Sequence, residues 1–191
     1  MRASSRLAAF AGSLLLVARA GAQETKFEAT GDVTFRAIGG GTAGASFDHE
    51  RVLGPVVDLS RDQGGAWGGN LGDNDVVLTV TPAKIFGVGI SVALTRKDDR
   101  TDIEGLAFGQ RLRLTLDGKR FHGRFGACSY DLERQKSGEY YGNVGCFRQA
   151  GRSLVTAAFT GKAILRLLGD ASATSPPLPQ LPLALIAVLP N

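Results

Sequence analysis

Leu112, Leu114 and Leu116 alternate with Arg111, Arg113 and Thr115. That period of two puts leucine on one face of an extended segment and polar groups on the other. The same alternation runs through VVLTV (Val76–Val80), ISVALTR (Ile90–Arg96) and SYDLER (Ser129–Arg134). Turn-forming stretches separate these runs: KDDRT, DGK and QKSG, with TPA as a proline-containing bend. Asp117-Gly118, lying between two such runs, is a hairpin signal. No part of this core carries a sustained helical stripe. Nearer the N-terminus, KFEAT, DVTFRAIGG, SFDHERV and VVDLS also read as strands, and two glycine-crowded tracts, GGGTAG (Gly39–Gly44) and GGAWGGNLGDND (Gly64–Asp75), read as turns or loops.

A longer period lies over the short one. KIFG ends at Gly87, DIEG at Gly105, RFHG at Gly123, EYYG at Gly142 and AFTG at Gly161, at intervals of 18, 18, 19 and 19 residues. Two positions before each glycine stands a bulky apolar or aromatic residue: Ile85, Ile103, Phe121, Tyr140 and Phe159. Each interval holds two short strands and two turns, so the unit is a hairpin and the repeat runs from about residue 70 to Gly161. The pattern predicts an all-β chain, an antiparallel meander barrel or sandwich built from hairpin repeats. A β-solenoid or an open hairpin array is the alternative. A hexapeptide solenoid fits poorly, because Ile85 is followed at that spacing by Ser91 and Lys97. In this reading Ile85, Ile103, Phe121 and Tyr140 point into the core.

The two ends differ from this core. Residues 1–22 have the form of a secretory signal: Arg2 and Arg6, an apolar run from Leu7 to Ala18, and small residues offering cleavage after Ala20 or Ala22. Residues 23–170 then form one β domain, and a proline-rich link spans residues 171–182. An apolar segment closes the chain at residues 183–191, read as an edge strand folded back on the barrel, or a tail. AILRLL (Ala163–Leu168) is equally compatible with a strand or a turn or two of helix. With Arg2, Arg6 and Arg19 gone, the formal charge of +4 falls to about +1. No basic tract is available to follow a phosphate backbone, so nucleic acid is not an expected partner. No stable membrane span is expected after signal cleavage.

Cys128 and Cys146, the only cysteines, stand five and four residues past Gly123 and Gly142. Equivalent positions of neighbouring hairpins approach one another, and in a secreted or periplasmic protein the pair is expected to form a disulfide.

Candidate chemistry is sparse. The residues before three of the marker glycines, Glu104, His122 and Tyr141, face outward if their neighbours face inward. A carboxylate, an imidazole and a phenol in a row could bind a polar ligand or serve as acid and base. Trp67, the only tryptophan, sits between glycine pairs and is expected at the end of the sheet with one ring edge accessible to a ligand. Asn70, Asp73 and Asp75 offer a weak calcium set without the full EF-hand pattern. His49 and His122 are the only histidines and lack the spacing of a zinc site. Nothing calls for a cofactor. The leading expectation is an exported, non-enzymatic β-rich protein that binds a protein or glycan partner or builds the envelope or extracellular space. A small-ligand or glycan-binding barrel using Trp67 and a hydrolase using Glu104, His122 and Tyr141 are the alternatives.

Overall fold

The computed structural model describes residues 27–150, 154–172 and 179–190. The signal segment expected at residues 1–22 lies outside the described residues, as does half of the proline-rich link, residues 173–178. Fourteen strands follow one another along the chain. They are β1 (Gly31–Ala37), β2 (Thr42–Phe47), β3 (Arg51–Gly54), β4 (Val57–Arg61), β5 (Trp67–Leu71), β6 (Asn74–Val80) and β7 (Lys84–Gly87). The second half comprises β8 (Ile90–Lys97), β9 (Arg100–Ala107), β10 (Gln110–Leu116), β11 (Arg120–Phe125), β12 (Cys128–Arg134), β13 (Tyr140–Ala150) and β14 (Leu154–Gly169). Each pairs antiparallel with the next, and β14 returns to β1, with Gly31 opposite Gly169 and Ala37 opposite Ala163. The meander closes into a barrel, with only the outer stretches of β13 and β14 running past it as a hairpin.

Alternation decides the two faces. Leu112, Leu114 and Leu116 are buried while Arg111 and Arg113 are exposed, and the same division holds at Tyr130 and Leu132 against Asp131 and Glu133. Ile85, Ile103, Phe121 and Tyr140 are all in the core, as expected. The charged outer face of β9–β12 and the apolar interior are the reverse of a barrel whose outside meets lipid chains.

The marker glycines lie within strands and point inward at kinks. At Gly105 φ is +155° and at Gly123 +135°, and a Cβ there would lie 2.0 and 2.1 Å from the carbonyl oxygens of Ser91 and Arg113 on the neighbouring strand. Gly87 and Gly142 meet Val77 and Asp131 in the same way. Only a residue without Cβ lets the next strand pass so close, and glycine kinks of this kind bend a sheet towards closure. Gly69, with φ +133° and a Cβ that would fall 2.0 Å from the Asp58 carbonyl oxygen, begins the row. Trp67-Gly68-Gly69 is therefore another copy of the repeat. The tract Gly64–Asp75, read from the sequence as a loop, holds β5 and the start of β6. Two other local readings also change. KFEAT precedes β1, and SFDHERV is the end of β2, a turn and the start of β3.

The C-terminal apolar segment is a helix, α1 (Leu181–Val188), and not an edge strand. Pro182 is tolerated in the first turn, where an N–H would have no intrahelical partner. All of its residues but Ala187 are buried, and they belong to the same core as Phe47, Leu59 and Phe121. The helix packs against β1, β2 and β3, while from β12 the Tyr130 hydroxyl donates to the Pro190 carbonyl. At the other end Gln180 Nε2 donates to the His49 carbonyl at 3.1 Å. A helix that is apolar all round is stable only when surrounded, and here the barrel surrounds it.

Cys128 and Cys146 are direct cross-strand partners on β12 and β13 and form a disulfide. It closes a loop with a sequence separation of 18, which restricts the unfolded chain by about 3 kcal/mol. Thiol titration of the unreduced, denatured protein is expected to find no free thiol, and reduction is expected to lower stability by about that amount. Gly123→Ala is expected to cost about 2–4 kcal/mol in denaturant unfolding, from positive-φ strain and displaced backbone. Gly41→Ala, where a Cβ would meet nothing within 4 Å, is the control and should stay within about 0.5 kcal/mol.

Candidate functional site

The hairpin turns fall into two sets, one at each end of the barrel. At the end where α1 begins, several turns are tied by aspartate. Asp48 Oδ1 accepts the backbone N–H groups of Glu50 and Arg51, Asp62 Oδ1 that of Ala66, and Asp117 Oδ1 those of Lys119 and Arg120. At the other end the described turns are apolar or glycine-containing: Ile38–Gly41, Pro55–Val56, Gly72–Asp73, Val88–Gly89, Phe108–Gly109 and Gly126–Ala127. Among these described turns Asp73 is the only charged residue.

A pocket of about 540 Å³ opens at this second end. Small inward residues leave the space: Ala37 on β1, Ala43 on β2 and Ala127 before β12. Phe35 and the Cys128–Cys146 pair form its wall, Phe147 and Phe159 stand at its rim, and Ala187–Pro190 at the end of α1 form its floor. A register shift between Cys146 and Phe147 re-aims the chain at the rim, as a bulge does. The volume lies in the range of small-molecule sites, which are mostly apolar concavities with few polar groups. The C-terminal end of a helix carries partial negative charge, so the floor favours a neutral or donor-bearing group over an anion. The Tyr130 hydroxyl is engaged by Pro190 and holds that floor in place.

Burial pushes the Tyr130 phenol far up from its usual value, and that of Tyr140 up to about 12. The Tyr140 hydroxyl donates to the Asp117 carbonyl at 2.8 Å. Neither group is poised for acid–base chemistry near neutral pH.

The residues singled out from the sequence are not brought together. Glu104 is level with Arg113 and Arg124, His122 with Thr115 and Asp131, and Tyr141 with Glu133 and Ile164. The stagger of the barrel sets them on three successive rungs. Neighbours in that row are two strands and two residues apart, roughly 12 Å. Glu104 pairs with Arg113 Nε at 3.0 Å, and Tyr141 lies under Lys162. His122 Nδ1 is buried without a hydrogen-bond partner. Beside it, Asp102 is drawn below the usual carboxylate range by hydrogen bonds from Arg100 and Thr115.

Trp67 is 2% exposed. The expected accessible ring edge is absent, because the indole occupies the inward position of its repeat, and it does not line the mouth pocket. Asn70 and Asp75 pair across the β5–β6 hairpin with Asp73 in its turn. Among the described residues no group of three or more His, Cys, Asp or Glu is placed to hold a metal ion.

No family model, curated protein or solved structure matches the chain. Among the described residues no helix is long and apolar enough to cross a membrane.

Phe159 was visible in the sequence as the last copy of the aromatic-x-Gly pattern, but its place at a pocket was not. The alanines that open the space give no signal until the register is known.

The two buried phenols provide a check on the interior. Their folded pKa values are raised above the unfolded value near 10, so the stability they contribute is intact below pH 10. It is lost as pH rises towards 12 and beyond, because the unfolded chain releases those protons first. Absorbance titration is expected to show Tyr130 and Tyr140 ionising only together with alkaline unfolding, and Tyr130→Phe and Tyr140→Phe each removing one late-titrating group.

Proposed function

We propose that the protein is an exported, non-enzymatic binding protein whose barrel takes a small apolar ligand into the pocket at the end of α1. The observation that carries this reading is the pocket itself: about 540 Å³, walled by Phe35, Ala43, Ala127 and the disulfide. Export is supported by the signal-like residues 1–22 and by the disulfide, which belongs to an oxidising compartment. A hydrolase using Glu104, His122 and Tyr141 has no support in their spacing. Glycan binding through Trp67 has none in its burial. The ligand class is an apolar molecule with at most one neutral polar group, matched to apolar walls and a helix C-terminus.

N-phenyl-1-naphthylamine, a neutral apolar fluorophore, tests the proposal. The mature protein is expected to capture it with a rise in emission. Ala43→Trp and Ala127→Phe, which put bulk into the pocket, are expected to weaken capture by about tenfold or more, equivalent to ~1.4 kcal/mol. Their unfolding midpoints should stay close to that of the parent. Absence of capture by the parent protein, or equal capture by both filled variants, would overturn the proposal.

A further inference from the structure

The end of the barrel that carries the pocket also carries the exposed apolar turns. Val88 is 60% exposed, Leu106 51%, Ile38 48% and Val56 47%. Phe108 holds φ at +51°, a conformation that a bulky residue rarely adopts. Its ring lies over the adjacent turn, so close that a Cβ on Gly89 would meet it at 2.7 Å. Apolar tips gathered at one end, beside an apolar opening, call for an apolar phase or partner.

Charge narrows the choice. Just behind the tips on the outer face, Arg111 and Arg113 of β10 and Arg124 of β11 line a depression of about 310 Å³ with Gly123 and Gly126. Arg113 and Arg124 are direct cross-strand partners, an arrangement that destabilises a sheet unless the charge is balanced. Within the trio the balance is partial: Glu104 reaches Arg113 Nε. The turns of the opposite end carry Asp48, Glu50, Asp62, Asp98, Asp99, Asp117 and Glu139, and Arg51, Arg61, Lys97, Arg100, Arg120 and Arg134 at the adjoining strand ends offset them. The apolar tips thus stand beside an arginine sector on β10–β11 whose charge is only partly balanced.

We infer that the protein docks pocket-end first on an anionic lipid surface. Val88 and Leu106 enter the headgroup boundary, and Arg111, Arg113 and Arg124 engage lipid phosphates. Apolar side chains and arginines on one surface are the two signals that together hold a peripheral protein on such a membrane. This orientation faces the pocket to the acyl phase, so the reading rests on the proposed ligand site for its purpose but not for its geometry. The acids of this end, Asp58, Asp73 and Asp75, stand on β4, in the β5–β6 turn and on β6, away from the arginine sector, and tilt the contact towards β7–β12.

Flotation of the mature protein with two kinds of vesicle tests the inference: phosphatidylcholine alone, and phosphatidylcholine mixed with phosphatidylglycerol. The parent protein is expected to float with the anionic vesicles at low salt, less so at high salt, and weakly with the neutral ones. Val88→Asp and the pair Arg111→Glu with Arg124→Glu are each expected to weaken anionic binding by about tenfold or more. Both should keep the parent's unfolding midpoint and its capture of N-phenyl-1-naphthylamine in solution. Loss of probe capture with vesicle binding intact would sink the ligand reading and leave the docking surface standing. Failure to bind anionic vesicles at low salt, or variants that float like the parent, would overturn the docking surface. So would a stable dimer broken by Val88→Asp, which would assign the apolar tips to a second copy of the chain.

Discussion

Fourteen strands enclose more space than their own side chains can fill. An eight-stranded barrel has an interior just wide enough for its inward residues, and width grows roughly in proportion to strand number. Two features of the chain meet that demand. Kinks at Gly69, Gly87, Gly105, Gly123 and Gly142 let neighbouring backbones approach and curl the sheet inward. The helix Leu181–Val188 supplies a rod of apolar matter about 10–12 Å across. The pocket is what remains. Eight helical residues cover about 12 Å of height, and the bonds at Gln180 and Pro190 set how deep the rod sits. Above its end the walls carry alanine at Ala37 and Ala43, and the gap is left open among the described residues.

What the sequence disclosed follows from what each signal depends on. Alternation depends only on one face being buried, so strands such as Arg111–Leu116 and Ser129–Arg134 were legible, as were the hairpin period and the cysteine pair. The helix was not, because a helix buried on every side has no polar face and so shows no period; Leu183–Leu189 reads as a bare apolar run. Trp67 was placed in a loop because four glycines flank it, yet Gly69 is the kink of its strand and Gly68 an ordinary strand position. The row Glu104, His122, Tyr141 was correct in phase and wrong in height. Phase is a property of the repeat, whereas height is set by the stagger that closes the barrel.

A meander has two families of turns, and closure gives them different neighbours. At the end where α1 enters, side-chain carboxylates of Asp48, Asp62 and Asp117 satisfy turn amides, so those acids are there for local reasons. At the other end several turns have only two residues, with glycine at positive φ in Gly72, Gly89, Gly109 and Gly126. The companion positions hold Asp73, Val88, Phe108 and Ala127, and Phe108 itself takes φ +51° beside Gly109. Turn geometry explains the glycines. It does not explain why three of the four companions are apolar, and the surface they build is what the docking inference accounts for.

The disulfide sits where these constraints meet. β13 and β14 pair with each other beyond the barrel: Cys146 is the last residue of β13 opposite β12, and Ala163 the last of β14 opposite β1. Past that level the hairpin has no third strand on either side, and a two-stranded ribbon is marginal by itself. A covalent link on the last shared rung fixes the position from which the ribbon departs, and the register shift immediately after it directs Phe147 to the rim. Phe159, opposite Cys146 in the ladder, completes that side of the opening. The same bond that limits the unfolded chain therefore also fixes the edge of the pocket.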